Sequence, residues 1–227
     1  MIAIDEDTAL EVVNENGPRA TAGPIRLLVV DDHAAVRRGL RELLADQTDF
    51  RVIDAVPSTE EAMSVAEREE LDVAVVDYQL GGRNGLWVSR KLKRLPRPPR
   101  VVIFAAYCDG LLAAAAVVAE ADGLVSKGGL GSELCDAIRS VAGGRSLLPM
   151  VPWRLAEVMR RRLDGEEQAI FGMSRAGIPQ VEIAKTLGIS ETGLESRMLK
   201  MLHKLETMHW DPTIFRRGAE RSVLRAR

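Results

Sequence analysis

The amino-acid sequence predicts an α/β fold built on a parallel five-stranded sheet, followed by a small all-α region. Two observations lead to this prediction. Between residues 25 and 143, five continuous apolar runs alternate with five stretches of helical periodicity, and strands buried on both faces of a parallel sheet have this continuous apolar character. From residue 153 onward, no run has the pattern of a strand, and apolar residues recur at helical spacing.

The apolar runs and helical stretches define the elements of the α/β region in chain order. The first strand, "IRLLVVD", is followed by a helix, and each later strand is followed by one in the same way. Strands are expected at 25–31, 51–56, 71–77, 100–105 and 122–126. Helices are expected at 34–46, 58–69, 85–94, 109–120 and 130–142. Ligands of such folds bind beyond the carboxyl ends of the strands, so a site is expected there.

Glycine and proline residues divide the chain into segments. Gly143 and Gly144 end the fifth helix, and two prolines follow in "SLLPMVP". We expect a flexible acidic leader at 1–24, the α/β region at 25–143, a linker at 144–152, a helical region at 153–205 and a basic tail at 206–227. The helices of the helical region are expected at 153–162, 166–176, 180–187 and 191–205.

Charge is distributed unevenly along the chain. Residues 1–152 carry 17 Lys and Arg against 23 Asp and Glu, a net of −6, whereas residues 153–227 carry 14 against 10, a net of +4. A basic second region suggests a polyanionic partner. No apolar run reaches the roughly 18 residues of a membrane span, and the acidic N-terminus is unlike a signal peptide. We therefore expect a cytoplasmic protein without a membrane partner.

Acidic residues stand at the ends of two predicted strands. Asp31 and Asp32 lie at the end of the first strand, Asp77 ends the third, and Lys127 follows the fifth. If the first and third strands are neighbours, about 4.8 Å apart, the carboxylates converge at one edge of the sheet. Such oxygen ligands suit Mg²⁺, and one carboxylate is then placed to attack phosphorus. Each acid taken singly is better explained as a helix cap or turn residue, so only the complete set indicates a site.

These motifs resemble the receiver domain of two-component response regulators. The resemblance covers residues 25–145 and depends on "VVDDH" at 29–33, "DYQLGGRNG" at 77–85 and "ADGLVSKGG" at 121–129. It implies a flavodoxin-like sheet of order 2-1-3-4-5, and a sensor histidine kinase that phosphorylates Asp77. It also implies that Mg²⁺ is held by Asp31, Asp32, Asp77 and the backbone carbonyl of Gln79, and that Lys127 contacts the phosphoryl oxygens.

The sequence departs from the receiver pattern at three positions. Ala105 stands where the family has Thr or Ser, Leu124 where it has an aromatic residue, and Gly81 where it often has Pro. The first two positions form the usual switch. A hydrogen bond from a hydroxyl to the charged phosphoryl group contributes about 1.5–3 kcal/mol, whereas inverting a two-state equilibrium takes roughly 5.5 kcal/mol. Losing the hydroxyl therefore removes up to half of the free energy that couples phosphorylation to the conformational change. We therefore expect Asp77 to be phosphorylated with only a small conformational response.

The helical region contains the spacing of a helix-turn-helix. The stretch "VEIAKTLGIS" supplies a short helix, a glycine turn and a serine N-cap at Ser190, and a longer apolar-striped helix follows. It resembles the LuxR-type DNA-binding domain, which implies that the helix from Glu191 enters the major groove of DNA. The implied DNA contacts are Ser190, Glu191, Thr192, Ser196, Arg197, Lys200 and Lys204. Reading two half-sites favours a homodimer.

The proposed recognition helix is unusually acidic. The family pattern "SxxTVKxH" reads "SETGLESR" here, so Glu195 replaces a common lysine and Gly193 weakens the helix. Residues 166–206 carry five basic and six acidic groups, whereas DNA affinity depends on phosphate neutralisation. Basic residues flank this core at Arg160, Arg161, Arg162, Arg216, Arg217, Arg221, Arg225 and Arg227. A protein-binding or dimerisation module therefore remains the alternative to DNA binding.

An enzymatic function is the remaining alternative. Aspartyl-phosphate hydrolases of the haloacid dehalogenase type also carry a nucleophilic Asp at a strand end, with a second Asp two residues later as general acid. In this sequence the second position is Gln79, which is not a useful proton donor. We therefore expect a regulator rather than an enzyme.

Overall fold

The computed structural model describes residues 23–81 and 84–208, and it has the predicted α/β fold class. Five parallel strands form one sheet in the order β2-β1-β3-β4-β5, which confirms the order 2-1-3-4-5. The leader expected at 1–24 lies, up to residue 22, outside the described residues. The basic tail is likewise outside them from residue 209 onward, together with the five arginines from Arg216 to Arg227.

The elements follow one another in the predicted alternation. The strands are β1 Ile25–Val30, β2 Phe50–Val56, β3 Val73–Asp77, β4 Arg100–Ala105 and β5 Gly123–Ser126. The helices of the α/β region are α1 Ala34–Ala45, α2 Thr59–Arg68, α3 Gly85–Leu92, α4 Gly110–Val118 and α5 Gly131–Ala142. The helices of the helical region are α6 Trp153–Arg162, α7 Gly165–Arg175, α8 Gln180–Leu187 and α9 Glu191–Thr207.

Helices cover both faces of the sheet, which explains the continuous apolar strands. Helices α1 and α5 pack on one face through residues such as Leu44 and Ile138. Helices α2, α3 and α4 pack on the other face, and all five residues of β3 are buried between the two layers. Burial on both faces leaves the ends of the strands as the place where polar side chains reach solvent.

The register of the central strands brings their carboxyl ends together. Strand β1 pairs with β3 from Leu27↔Val73 to Val30↔Val76, so the residues that follow Val30 and Val76 are adjacent. Strand β4 pairs with β5 up to Ala105, on the other side of β3. The loops after β1, β3, β4 and β5 therefore meet at one edge of the sheet.

The segment expected as a linker is packed against the sheet. The Leu147 amide donates to the Asp122 carbonyl at 2.7 Å, and Leu147 forms an isolated parallel bridge with Gly123. Val151 is buried in the same core as helix α4. The segment 144–152 therefore extends the edge of the sheet at β5 before the helical region begins.

The helical region has the geometry of a helix-turn-helix. Helix α8 ends at Gly188, whose φ of 66° lies in the left-handed region that glycine adopts without strain. Two residues later, the side chain of Ser190 accepts a hydrogen bond from the Gly193 amide and begins helix α9. A capping box of Asp164 and Glu167 begins helix α7.

Helix α9 packs on helix α4 of the α/β region. The sequence of α4, "GLLAAAAVV", is wholly apolar, and its residues from Leu112 to Val118 are all buried. Residues of α9, including Met198 and Leu202, belong to the same apolar core as α4. The two regions therefore share one core. None of the helices in the described part of the chain combines the length and apolar character that crossing a bilayer requires.

Candidate functional site

A lysine and two buried carboxylates meet at the carboxyl edge of the sheet. Asp31 follows β1, Asp77 ends β3 and Lys127 follows β5. The Lys127 Nζ lies 2.9 Å from Asp31 Oδ2 and 2.8 Å from Asp77 Oδ2. Both carboxylates are almost fully buried, whereas the Lys127 side chain is 23% exposed. The ammonium group therefore reaches the two acids from the solvent side of the sheet edge.

Asp32 and His33 form the outer side of the same cluster. The Gly81 amide donates to Asp32 Oδ2 at 3.0 Å, which ties the loop after β1 to the loop after β3. His33 Nδ1 lies 2.8 Å from Asp32 Oδ1, and the His33 amide donates to Asp31 Oδ1 at 2.8 Å. Sequence reasoning missed His33 as a member of the site; its position directly after the two acids was the available signal.

The backbone around Asp77 is shaped by Gln79 and Gly85. The Gln79 amide donates to Asp77 Oδ1 at 3.1 Å. A Cβ atom at Gly85 would lie 2.1 Å from the Asp77 carbonyl oxygen, so only glycine allows α3 to approach β3 this closely. Asn84 begins α3 by accepting a hydrogen bond from the Trp87 amide. The pair Asn84 and Gly85 thus places the start of α3 beside Asp77.

Electrostatics at the site favour a further positive charge. Burial raises the pKa of Asp77, and the charge of Asp31 adds to the rise; Lys127 and the Gln79 amide oppose it without cancelling it. Burial lowers the pKa of Lys127, but its contacts with Asp31 and Asp77 outweigh that effect, and its pKa is raised overall. Lys127 is therefore a cation at neutral pH, and it does not neutralise the carboxylates completely.

The residues present fit a magnesium ion. Ligand atoms of Asp31, Asp32, His33 and Asp77 lie within 4.8 Å of one another. Within the described residues, the buried Asp77 Oδ2 has no hydrogen bond of acceptable geometry, although the Lys127 ammonium lies 2.8 Å away. Carboxylate oxygens are the ligands that Mg²⁺ prefers. Asp31, Asp32 and Asp77 are thus the residues that would hold the ion.

The two positions that the resemblance implies for the switch are apolar and buried. Ala105 ends β4, is 1% exposed, and its carbonyl accepts a hydrogen bond from the Lys127 amide at 2.7 Å. Leu124 lies on β5 and belongs to the core that contains α4. Ala105 and Leu124 therefore bring neither a hydroxyl nor a ring to the sheet edge.

The DNA contacts implied by the sequence lie on or next to α9 and differ in their surroundings. Four side chains at the start and middle of the helix are exposed: Glu191, Thr192, Ser196 and Lys200. Ser190, also exposed, caps the helix. Arg197 pairs with Glu166 at 2.9 Å and Lys204 with the buried Glu167 at 2.5 Å, so both are tied to α7.

Glu195 pairs with residues of the α/β region. Its carboxylate binds Arg90 of helix α3 and Arg94, which lies two residues after the end of that helix; both are more than 100 positions away in the chain. A second contact between the regions joins Glu206 of α9 to Asn84 at the start of α3. Sequence reasoning interpreted Glu195 only as a residue unsuited to DNA phosphates.

Comparison with known proteins identifies the chain's family. The family model described as "Response regulator receiver domain" matches residues 27–139. The DNA-binding transcriptional activator DevR/DosR of Mycobacterium tuberculosis is 32% identical over 193 residues, which cover 80% of this chain and 88% of that protein. The chain belongs to the response regulator family. Response regulator UvrY of Escherichia coli is 28% identical over 197 residues, covering 82% of this regulator and 90% of its relative.

A solved structure is similar to part of this chain. The LuxR-family two-component response regulator of an Aurantimonas species is 28% identical, with a TM-score of 0.53, and its whole chain matches 63% of this regulator. The prediction of a two-component response regulator of the LuxR type is therefore confirmed.

Proposed function

We propose that Asp77 accepts a phosphoryl group from a sensor histidine kinase, with Mg²⁺ held by Asp31, Asp32, Asp77 and the Gln79 backbone carbonyl. The observation that supports this proposal most strongly is the convergence of three chain segments: Lys127 lies within 3 Å of both buried acids. Convergence of the acids with a cation at the carboxyl edge of a parallel sheet is the arrangement that phosphoryl transfer requires.

The transfer uses the Asp77 carboxylate as nucleophile. An Asp77 oxygen attacks the phosphorus of the kinase's phosphohistidine as the P–N bond breaks; the imidazole nitrogen regains its electron pair and then takes a proton from solvent. The product is an acyl phosphate. Asp31, Asp32, Asp77 and the Gln79 carbonyl would hold Mg²⁺, which would neutralise the negative charge of the phosphoryl oxygens. Lys127 contacts those oxygens from the β5 side, and the Gln79 amide orients the Asp77 carboxylate before attack.

The experiment is phosphorylation with acetyl phosphate, read by intact mass. We expect the mass gain of one phosphoryl group with Mg²⁺ and none with excess chelator. Asp77→Asn should abolish the gain, and Asp136→Asn, which removes an exposed acid of α5, should leave it unchanged. Equal phosphorylation of Asp77→Asn and the wild type contradicts the proposal.

We further propose that the helical region binds DNA through α9. The helix-turn-helix geometry supports this proposal, as does the naming of DevR/DosR as a DNA-binding transcriptional activator. The contacting residues are Ser190, Glu191, Thr192, Ser196, Arg197, Lys200 and Lys204. A homodimer places two such helices on adjacent half-sites.

A salt titration of binding to genomic DNA fragments tests DNA binding. The logarithm of the binding constant should fall linearly with the logarithm of salt concentration. Lys200→Ala should reduce the slope by about one, whereas Lys91→Ala, on α3 of the α/β region, should not. No binding at low salt would instead favour the second candidate, a protein-binding module. That candidate is supported by the ties of Glu195, Arg197 and Lys204 to other parts of the chain.

We propose that phosphorylation changes the conformation only weakly. The buried methyl group of Ala105 gives the phosphoryl group no hydroxyl to bind, and Leu124 is already in the core. Addition of beryllofluoride and Mg²⁺ should therefore leave the oligomer size unchanged and change DNA affinity by less than about tenfold. A large change in both measurements contradicts weak coupling.

A further inference from the structure

The ammonium group of Lys127 lies over an aromatic ring as well as beside two acids. Its Nζ is 5.6 Å from the centroid of the Phe104 ring, within the roughly 6 Å over which a ring face attracts a cation. The same Nζ lies 2.9 Å from Asp31 Oδ2 and 2.8 Å from Asp77 Oδ2. Two carboxylates and one ring therefore act on the same charge.

The backbone of Phe104 is held by the strands on both sides of β4. In the register of β3 with β4, Phe104 is the partner of Asp77, and its carbonyl accepts a hydrogen bond from the Tyr78 amide at 3.0 Å. In the register of β4 with β5, Phe104 is the partner of Val125. The ring therefore stands between the strand that ends at Asp77 and the strand that leads to Lys127.

The residue after Phe104 holds the backbone of the same lysine. The Ala105 carbonyl accepts a hydrogen bond from the Lys127 amide at 2.7 Å. Two consecutive residues of β4 therefore act on Lys127, one on its backbone and the other on its ammonium group. Because Ala105 brings no hydroxyl to the sheet edge, donation to phosphoryl oxygens falls more heavily on Lys127.

The Phe104 ring is seated against the core. It is half-buried and packs against the apolar cluster to which Leu134 and Ile138 of α5 belong. Its position is thus set by packing as well as by the cation, whereas a lysine side chain has many rotamers of its own. A ring held in this way can restrain the flexible Lys127 side chain.

We propose that Phe104 is a positioning residue whose ring face holds the Lys127 ammonium group at the sheet edge, where it can contact phosphoryl oxygens on Asp77. Phe104 acts through Lys127 and takes no part in the transfer itself. The restraint on Lys127 is a property of the protein alone. Its effect on phosphorylation rests on the proposed function of Asp77 as phosphoacceptor.

The restraint is tested by exchange of the Lys127 ammonium hydrogens with solvent, measured by NMR of the full chain without added metal. Fluorinated phenylalanines at position 104 nearly keep the shape of the ring, but each added fluorine weakens the negative potential of its face. We expect exchange to accelerate stepwise, by about two- to fivefold with three fluorines, because the ammonium group leaves the ring more often. Exchange that does not respond to fluorination overturns the proposal.

Two comparisons separate attraction by the ring from packing. Phe104→Tyr keeps the ring face and should keep exchange as slow as in the wild type, whereas Phe104→Leu should accelerate it. Phe50 is the matched control: its ring belongs to the same core cluster, but it lies 4.9 Å from the Arg139 guanidinium, at the start of β2. Three fluorines at Phe50 should leave Lys127 exchange unchanged, and equal acceleration from both positions overturns the restraint.

Phosphorylation by acetyl phosphate with Mg²⁺ tests the effect on the reaction separately. Three fluorines at Phe104 should lower kcat/KM about two- to fivefold, and three at Phe50 should not change it. If exchange accelerates while kcat/KM stays constant, the effect on the reaction is overturned and the restraint stands. If the wild type takes up no phosphoryl group, the proposed phosphoacceptor function fails and the effect on the reaction is overturned with it; the exchange measurement still decides the restraint.

Discussion

Gly85 is the residue that allows helix α3 to lie against the backbone of Asp77. A Cβ atom there would lie 2.1 Å from the Asp77 carbonyl oxygen and 3.1 Å from a Val76 methyl group. Gly85→Ala should therefore destabilise the protein by roughly 1–3 kcal/mol in urea unfolding, and it should slow phosphorylation because Asp77 is displaced. The control is Gly39→Ala on α1, where a Cβ atom meets nothing within 4 Å. It should stabilise the protein by up to about 1 kcal/mol. Equal effects of the two variants would refute the close-approach explanation.

Asp49 and Arg139 form an ion pair that depends on pH. The hydrogen bond from Arg139 lowers the pKa of Asp49, and Arg139 Nε lies 2.7 Å from Asp49 Oδ2. Because the folded pKa is below the unfolded one, the pair contributes stability above the unfolded pKa and loses it as pH falls through the folded pKa. Asp49→Asn should lower the melting temperature at pH 7 and leave it nearly unchanged near pH 2. A difference that is the same at both pH values would show that the ionised pair is not responsible.

At the scale of residues, strand ends were the most informative positions. We predicted that Asp31, Asp77 and Lys127 meet because each stands at the end of an apolar run. The register of the paired strands then determines how close together these side chains lie. Glu120 was not singled out because a left-handed φ at a non-glycine residue has no signal in the sequence.

At the scale of elements, helix α9 depends on its N-cap. The Gly193 amide donates to Ser190 Oγ at 3.0 Å, and Ser190 closes the turn after α8. Ser190→Ala should reduce the free energy of unfolding by about 1 kcal/mol. Ser196→Ala, an exposed position of the same helix, should change it by less than about 0.5 kcal/mol. Urea titrations measure both, and a Ser190→Ala variant as stable as Ser196→Ala would argue against the cap.

Some helix and strand boundaries in the structure differ from the predicted ones. Strand β3 begins at Val73 rather than at residue 71, and the side chain of Asp72, directly before it, accepts a hydrogen bond from the Arg26 amide at 2.8 Å. Helix α4 begins at Gly110 because the Asp109 side chain caps it by accepting from the Leu112 amide. The segment 144–152 was expected to be a linker because two prolines follow Gly143 and Gly144. Its bridge at Leu147 depends on tertiary contact alone.

At the scale of the whole molecule, the shared core predicts cooperative unfolding. Apolar residues of α4 and α9 belong to one cluster, so unfolding of either region exposes part of the core of the other. Two single-tryptophan variants, one keeping Trp87 of α3 and the other Trp153 of α6, should report the same urea midpoint. Two separated midpoints would show that the regions unfold independently.

The relation between the two regions was the part least accessible to sequence reasoning. The fold class follows from local patterns, namely apolar runs, helical periodicity and turn residues. The contact of Glu195 with Arg90 and Arg94 joins positions about 100 residues apart, and nothing in the local pattern of either segment indicates it. Glu195 was recognised as replacing a common lysine, but its electrostatic partners became evident only from the folded arrangement.

Helix α4 limits how this regulator can be recombined with others. Seven consecutive residues, 112–118, are small or aliphatic and buried, partly beneath α9. A chimaera that joined residues 25–143 to the output helices of another regulator would leave that surface bare, and bare aliphatic surfaces promote aggregation. A chimaera should therefore remain soluble only when helix α4 and the helices that cover it come from the same regulator.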